Sequence, residues 1–230
     1  ISAYIRYSRE LETIKNRALL FGVNQISSSE NMNSNFPDET FSASGNYGRS
    51  FARYYKANFR AGFNWSKSNN IRVYPDGDAN PNNNPTELQT IESYSQSYNL
   101  SFSTNYKTLP NLTLGYNFSI NDNFSDVIYI DSPTVTLEYF FLDAFSFVSE
   151  YSYFHNRNKA KTIDSEYDFL TASLLYQKKG SKWEWKLSGT NLLDTKSLDT
   201  NSFIQLGGTS SFSSYRVQPR YVILSLKYAL

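Results

Sequence analysis

The sequence predicts an all-β protein whose antiparallel strands form an up-and-down β-barrel, and three observations support this prediction. First, apolar and polar side chains alternate with a period of two, which is typical of strands that have one apolar face. In the clearest example, residues 53–68, the odd positions from Tyr55 to Trp65 are apolar, whereas the even positions from Lys56 to Ser66 are polar or Gly. Second, the alternating runs are about ten residues long. Third, short and long connections alternate between them, and no segment has the period of an amphipathic helix.

About eleven strands are predicted along the chain. The alternation is clearest in residues 53–68, 98–103, 112–120, 170–177 and 222–230. Weaker alternation predicts further strands at residues 1–8, 17–26, 38–47, 131–140, 145–155 and 183–191.

The lengths of the predicted connections divide them into two sets. Short connections are expected at residues 9–16, 48–53, 107–111, 141–144 and 178–182. The others, at residues 27–38, 69–91, 121–131, 156–166 and 193–215, are medium or long. The two sets alternate along the chain, so every longer connection falls at the same end of the sheet. This asymmetry is typical of outer-membrane barrels, which have short periplasmic turns and longer extracellular loops.

Strand length and face chemistry also favour a transmembrane barrel. A tilted strand needs roughly 9–11 residues to cross the hydrocarbon. The polar faces suit a water-filled lumen, and the clearest apolar faces carry no charge, as lipid contact requires. Aromatic residues at strand ends are placed as in the girdles of membrane barrels; they are Tyr54, Tyr55, Trp65, Tyr94, Tyr106, Trp183, Trp185, Tyr221 and Tyr228. A soluble β-sandwich is the alternative, because its strands alternate too.

The odd strand count predicts an incomplete barrel. Bacterial single-chain barrels use even numbers of strands, so eleven strands cannot close one. The last strand of such a barrel runs towards the periplasm, and counting back predicts that residues 1–8 run the same way. Their partner strand would then precede Ile1, which fits a chain that opens inside a strand with neither Met nor a signal peptide. Residues 1–230 are therefore expected to be the C-terminal part of a larger barrel. One strand miscounted within residues 1–26 would instead give a ten-stranded barrel.

Several segments resemble a known family. They are residues 15–18, 22–25, 173–179, 183–185, 190–197 and 218–228. Together they resemble the C-terminal barrel region of TonB-dependent-receptor-like outer-membrane proteins of the Bacteroidota type, most specifically over residues 170–230. The sequence departs from the family pattern twice. Asp194 stands where the family often has Asn, and the chain ends in Leu230, with Tyr228 two residues before it, where the family commonly ends in an aromatic residue.

The resemblance implies a 22-stranded barrel with an N-terminal plug, of which residues 1–230 would be the last half. The implied function is uptake of a nutrient, such as a chelate, a glycan or a peptide, across the outer membrane of a Gram-negative bacterium. The implied partners are outer-membrane lipid, the barrel-assembly machinery through the C-terminal strand, a TonB-type energiser and a surface lipoprotein. Two alternatives stay open. One is a non-transporting subunit or substrate of an outer-membrane assembly or secretion complex, and the other is a free-standing ten-stranded porin or adhesin.

Composition excludes several other classes of function. The net charge of +1 lacks the basic footprint of a nucleic-acid binder. Because the chain has no Cys, it has no disulfide framework, thiolate zinc site or cysteine nucleophile. The only His, His155, has no Ser-His-Asp spacing around it. Glu138 and Glu150 are expected on the lumen faces of adjacent strands, where paired carboxylates can do acid–base chemistry, but pairing with Lys or Arg, or contact with a plug, is the preferred interpretation. We therefore predict no enzyme activity, no catalytic residue and no cofactor.

One loop has the spacing of a calcium site. In residues 76–87, oxygen-bearing side chains fall at positions 1, 3, 5, 7, 9 and 12, and the last of them is Glu87. However, Pro81 occupies the position where a calcium loop needs Gly for its sharp turn, and no helices flank the segment. Asn, Pro, Asp and Gly are also the usual residues of an exposed loop. The preferred interpretation is an ordinary loop, and no metal site is predicted.

Overall fold

The structure, a computed structural model, describes residues 1–11, 13–21, 26–34, 36–73, 86–122, 126–159, 161–204 and 209–229. These residues form fourteen strands: β1 Ser2–Glu10, β2 Thr13–Phe21, β3 Ile26–Ser34, β4 Asp38–Phe51, β5 Tyr55–Val73, β6 Thr86–Thr104, β7 Asn111–Asp122, β8 Val127–Phe141, β9 Phe145–Asn158, β10 Asp164–Tyr176, β11 Trp183–Thr190, β12 Ser197–Ile204, β13 Thr209–Arg216 and β14 Tyr221–Tyr228. No helix long and apolar enough to cross a membrane occurs among them.

Ten of the strands form one sheet in the order β1-β4-β5-β6-β7-β8-β9-β10-β11-β14. Every neighbouring pair in this sheet is antiparallel. The other four strands form two separate hairpins, β2–β3 and β12–β13. The predicted all-β class and the antiparallel, up-and-down arrangement are confirmed.

The predicted count of eleven strands is wrong because residues 17–26 do not form a strand of the main sheet. Residues 13–21 pair with residues 26–34, whereas β1 pairs directly with β4. The last pair of β1 and β4 is Glu10 opposite Asp38, and the first pair of β2 and β3 is Thr13 opposite Ser34. The β2–β3 hairpin therefore continues outwards from the paired strands β1 and β4. As a result β1 runs in the opposite direction to the one predicted, and the sheet has an even number of strands. The number of strands in the described sheet therefore gives no reason to expect an incomplete barrel.

The two ends of the sheet differ in their connections, but less than predicted. At one end, here called the short-turn end, strands are joined by residues 52–54, 105–110, 142–144 and 177–182. At the other, the long-loop end, they are joined by residues 11–37, 74–85, 123–126, 159–163 and 191–220. Residues 123–126 and 159–163, predicted as medium loops over 121–131 and 156–166, are no longer than the longest connections at the short-turn end, and the predicted connection 193–215 contains β12 and β13. The two tightest turns each place two consecutive residues at positive φ, as a type I′ hairpin turn requires; these residues are Ala52, Arg53, Leu142 and Asp143.

Two predicted boundaries are wrong at the long-loop end. The predicted loop 69–91 is shorter, because β5 continues to Val73 and β6 begins at Thr86, which gives strands of 19 residues each. Trp65 and Tyr94, predicted at strand ends, therefore lie within their strands and directly opposite one another. Ser and Asn have low strand propensity, but pairing with a neighbouring backbone overrides it.

The register gives the sheet two chemically different faces. On one face, Asn58, Arg60 and Asn64 of β5 lie opposite polar residues or Gly in both neighbouring strands. On the other, Phe59 lies between Tyr47 and Leu100, and Ala61 between Gly45 and Tyr98. The predicted alternation is confirmed across these strands. No packed core lies on either face, since Ile91 is the only buried hydrophobic residue among those described.

The most deeply buried side chains belong instead to Asn residues at the long-loop end. Asn69, Asn158 and Asn191 are only 6%, 3% and 2% exposed. Asn69 Nδ2 donates to the Pro37 carbonyl over 2.7 Å and its Oδ1 accepts from Thr90 Oγ1 over 2.7 Å, which joins β4, β5 and β6. The Asn158 amide accepts from the Ile163 N–H over 3.0 Å and so closes the connection between β9 and β10. Buried amides, which can donate and accept at once, thus stabilise the loops.

Asn191 organises the turn that follows β11, within the segment 190–197. Its Nδ2 donates to the carbonyls of Thr195 and Gln218 over 2.8 and 2.9 Å, and its Oδ1 accepts from the Thr195 N–H over 2.9 Å. Its φ of 51° lies in the left-handed region, which Asn tolerates better than most residues. One side chain therefore joins the end of β11 to the approach to β14.

We expect the N191A variant to unfold with a free energy lower by about 2–4 kcal/mol, because three buried backbone groups lose their partner and Ala is strained at positive φ. The measurement is urea unfolding in detergent micelles, followed by Trp fluorescence. D194N is the matched control, because Asp194 shares the turn and has a φ of 63° that Asn also tolerates. Equal stability of N191A and D194N would contradict the assigned role.

Candidate functional site

The polar face of the sheet is concave. A cavity of about 860 Å³ lies against β1, β4, β5, β6 and β7. A cavity spanning five neighbouring strands forms only when the sheet curves around it. Nearly all residues that line it belong to the polar face; they are Ser2, Ala3, Tyr4, Ser44, Gly45, Asn46, Lys56, Asn58, Arg60, Ser97, Asn99, Ser101, Ser103 and Thr113. The concave face is therefore hydrophilic.

Hydroxyl and amide groups supply most of the chemistry of this cavity. Asn99 Nδ2 donates to Asn117 Oδ1 across β6 and β7, and further along, the hydroxyls of Ser66 and Ser93 are 2.8 Å apart. Lys56 and Arg60 add two positive charges, and none of the described residues that line the cavity is acidic. Such a surface can hydrogen-bond a polar or anionic solute or a polar protein segment.

The convex face is apolar and exposed. Among its large side chains, Leu100 is 52%, Leu187 46% and Leu224 59% exposed. So many large apolar side chains exposed on one face are unusual for a soluble monomer, because such proteins rarely expose contiguous apolar patches larger than about a few hundred Å².

Aromatic rings form a girdle along the short-turn end of the convex face. It consists of Phe51, Tyr55, Phe102, Tyr106, Tyr139, Phe141, Phe145, Tyr176, Trp183 and Tyr228, linked by ring contacts with centroids 4.7–6.4 Å apart. Tyr106, in the turn after β6, donates its hydroxyl to the Tyr55 hydroxyl over 2.7 Å. This hydrogen bond is the main reason why the pKa of Tyr106 lies above the ordinary value for a Tyr.

Aromatic side chains also lie on the convex face towards the long-loop end. On β5, Trp65 lies ten residues beyond Tyr55. At a rise of about 3.3 Å per residue and a tilt of roughly 35–45°, ten residues cover about 23–27 Å along the axis of a barrel. The apolar band of a transmembrane barrel is about 25 Å tall. The spacing of the two aromatic levels therefore matches a bilayer.

A charged network lies on the convex face of β7–β10, between the apolar band and the long-loop end. Asp131 accepts hydrogen bonds from the Tyr116 hydroxyl, over 2.6 Å, and from Arg157 Nη1. Arg157 also lies 3.1 Å from His155 Nδ1, and His155 Nε2 is 2.7 Å from Asp164 Oδ1. The network thus joins four strands through side chains that the register places on one face.

Two Tyr–carboxylate pairs flank this network. The Tyr153 hydroxyl donates to Glu166 over 2.9 Å, and the Tyr151 hydroxyl donates to Asp168 over 3.4 Å. The Asp131 side chain is 16% exposed and that of Arg157 38%. This half-buried ion pair with its flanking phenols resembles an interfacial anchor.

The predicted candidate residues lie in three separate places. His155, expected near the outer end of a strand, lies in β9 near the long-loop end and belongs to the charged network. Glu138 and Glu150 are exposed on the concave face of neighbouring strands, with Glu138 opposite Val148 and Glu150 opposite Thr136, so the expected adjacency is confirmed. Of the calcium loop 76–87, residues 76–85 lie outside the described residues, and the hypothesis stays untested. Among the described residues, no group of three or more His, Asp or Glu side chains could hold a metal ion.

The fold and the two faces define a class, an all-β protein built on a single curved, up-and-down antiparallel sheet. No protein-family model, curated protein or solved structure matches the chain. The resemblance of residues 170–230 to TonB-dependent-receptor-like barrels therefore stays a hypothesis.

We expect R157Q to lower the free energy of unfolding by about 1–2 kcal/mol, because Asp131 keeps its half-buried charge and loses its cationic partner. Urea unfolding of the inserted protein measures the effect. The matched control is K67Q, which breaks the more exposed Lys67–Glu92 pair, with side chains 36% and 53% exposed. We expect the control to change stability by less than about 0.5 kcal/mol. A larger loss in K67Q than in R157Q would contradict the anchoring role.

Proposed function

We propose that this chain forms part of the wall of an outer-membrane β-barrel similar to TonB-dependent transporters. The barrel would take up a polar nutrient such as a chelate, a glycan or a peptide. The observation that carries the proposal is the polarity of the curved sheet, which is polar on its concave side and apolar on its convex side. A soluble β-protein buries its apolar face inwards. The reverse arrangement suits a bilayer outside and water inside.

The edges of the sheet support a barrel larger than ten strands. Strands β1 and β14 each have one neighbour in the described sheet. Within a bilayer, an unpaired row of backbone N–H and C=O groups costs several kcal/mol per group, which excludes open edges. Each edge therefore needs a pairing partner, and in the larger barrel that we propose, additional strands beyond β1 and β14 supply it.

The concave face supports a transport role for such a barrel. Its lining of Ser, Thr and Asn side chains offers many weak donors and acceptors, and Lys56 and Arg60 attract negative charge. A solute crossing the lumen, or a plug filling it, would meet a hydrated surface without a tight pocket. Such a surface allows a polar solute to pass without being held.

We expect L100K to destabilise the membrane-inserted protein by about 2–4 kcal/mol, because Leu100 lies between the two aromatic levels on the convex face, where a Lys would contact hydrocarbon. The matched control is S101K, one residue further along β6, whose side chain faces the polar cavity. We expect S101K to change stability by less than about 0.5 kcal/mol. Both variants are measured by urea unfolding from phosphatidylcholine vesicles. Equal, small effects would mean that the convex face contacts water, and the proposal would fail.

A free-standing ten-stranded porin or adhesin is the second candidate, and the strand directions allow it. β1 begins at the short-turn end and β14 finishes there, so the two edge strands run in opposite directions and can pair as antiparallel neighbours. Pairing β1 with β14 would close the barrel without any further strand. The orientation of the edges is thus compatible with both candidates.

Engineered cysteines distinguish the two candidates, because the chain has no Cys of its own. Ile5 and Leu224 are exposed on the convex sides of β1 and β14. I5C is combined in turn with V222C, L224C and L226C, which covers neighbouring registers. In the native full-length protein we expect no disulfide, because closure by further strands keeps Cα atoms beyond the roughly 7 Å limit. The positive control is L187C/L224C, since these residues are directly opposed. A disulfide in any I5C pair, found by peptide mass spectrometry, would favour the ten-stranded barrel.

A further inference from the structure

The connections at the short-turn end carry a surplus of positive charge. Together they contain one acidic residue, Asp143, and five basic residues, Arg53, Lys107, Lys178, Lys179 and Lys182. All five basic side chains are exposed. They come from three different turns, yet the antiparallel order of the strands brings these turns to one end of the sheet. They form a cationic rim next to the aromatic girdle.

Several cations outside the rim have carboxylate partners. Near the long-loop end, Arg9 lies 3.5 Å from Glu39, Lys67 lies 3.3 Å from Glu92, and Arg157 contacts Asp131. Within the part of the chain that the structure describes, none of the five rim cations has a carboxylate partner. Their charge is therefore available to an external anion.

The girdle places the rim at the depth of lipid headgroups. Lys182 Nζ lies 5.7 Å from the ring centroid of Tyr228, which itself contacts Trp183 at 4.7 Å. Tyr and Trp rings settle at the boundary between hydrocarbon and headgroups. Arg49 lies on the convex face opposite Ala57, close to the turn at residues 52–54. A long basic side chain there can extend its charge towards the headgroup phosphates while its stem stays in apolar surroundings.

We propose that the short-turn end binds the headgroups of anionic phospholipids, of which phosphatidylglycerol is the simplest example. The proposal rests on the proposed function, because the rim meets headgroups only when the convex face lies in a bilayer. Zwitterionic headgroups neutralise their phosphate with their own cation, whereas an anionic headgroup leaves it for Lys or Arg. One Lys or Arg near an anionic membrane surface contributes enough energy to change affinity by about fivefold.

Brominated lipids test the proposal, because bromine quenches Trp fluorescence at short range. The full-length protein is inserted into vesicles of phosphatidylcholine containing a fixed fraction of either brominated phosphatidylcholine or brominated phosphatidylglycerol. Trp183 and Trp185 lie at the short-turn end of β11 and are 48% and 43% exposed. The quenching of these two residues is obtained as the difference in quenching between the unaltered protein and the W183F/W185F variant. We expect brominated phosphatidylglycerol to be preferred about fivefold or more at these two residues.

The variant that tests the rim is R53Q/K107Q/K178Q/K179Q/K182Q. The matched control, K67Q/K159Q/K161Q/K196Q/R220Q, removes five cations from the long-loop end and changes the net charge equally. We expect the preference to fall to about onefold in the rim variant and to persist in the control. For the unaltered protein, raising NaCl from about 0.01 to about 1 M shortens the Debye length from about 30 to about 3 Å and should abolish the preference without any substitution.

The outcomes separate this proposal from the proposed function. Absence of quenching by brominated phosphatidylcholine would mean that Trp183 and Trp185 are not in the bilayer, and both proposals would fail. Equal quenching by the two brominated lipids in the unaltered protein would overturn the lipid proposal alone. A preference that survives in the rim variant, or that is lost equally in the control, would also overturn it.

Discussion

Backbone hydrogen bonds between neighbouring strands are the interaction on which this structure depends. The described residues contain no packed core, and a single hydrophobic residue, Ile91, is buried. Ten strands are instead held by continuous antiparallel ladders, which satisfy nearly all backbone groups of the inner strands. In water this would stabilise the chain poorly, because the apolar side chains gain nothing from burial. In a bilayer, which offers no competing hydrogen bonds, the same ladders become strongly favourable.

Register ties the chemistry of the two faces to these ladders. A slip of one residue in any strand would turn its apolar side chains towards the concave side of the sheet and its polar ones towards the convex side. Phe59 and Arg60 are adjacent in β5 but lie on opposite faces. A slip would exchange an aromatic ring and a guanidinium group between the two faces, so its cost in free energy would be large. The charged network of Asp131, Arg157 and His155 adds a second constraint, because its side chains meet only in the observed pairing of β8 with β9. The alternation of polar and apolar side chains therefore specifies the register, and the backbone hydrogen bonds between strands maintain it.

The features that were predictable from sequence are those encoded within a short stretch. The alternation in residues 53–68 and the tight connection at 141–144 are local signals, so most strands of the ten-stranded sheet were predicted correctly. The pairing of β1 with β4 was missed because residues 26–34, which are rich in Ser and Asn and carry no alternation, look like a polar loop. Residues 197–204 and 209–216 were likewise predicted as part of a connection but form β12 and β13. Asn191 was not singled out either, since an Asn in a loop is ordinary until its burial of 98% is known. The network joins residues as distant as Asp131 and Arg157, which only the register brings together.

The two hairpins at the long-loop end affect how the sheet can assemble. The inner strands β4–β11 are joined in sequence by short or medium connections except for residues 74–85, so most of their pairings close small loops at low entropic cost. The edge strands β1 and β14 instead meet their partners across residues 11–37 and 191–220. In both cases the intervening chain forms its own hairpin, β2–β3 or β12–β13. Pairing that starts at these tips can proceed towards the sheet one residue pair at a time, so neither edge strand has to search for a distant partner. The edge strands β1 and β14 can thereby pair stepwise from a neighbouring hairpin, which would avoid the slow closure of long loops.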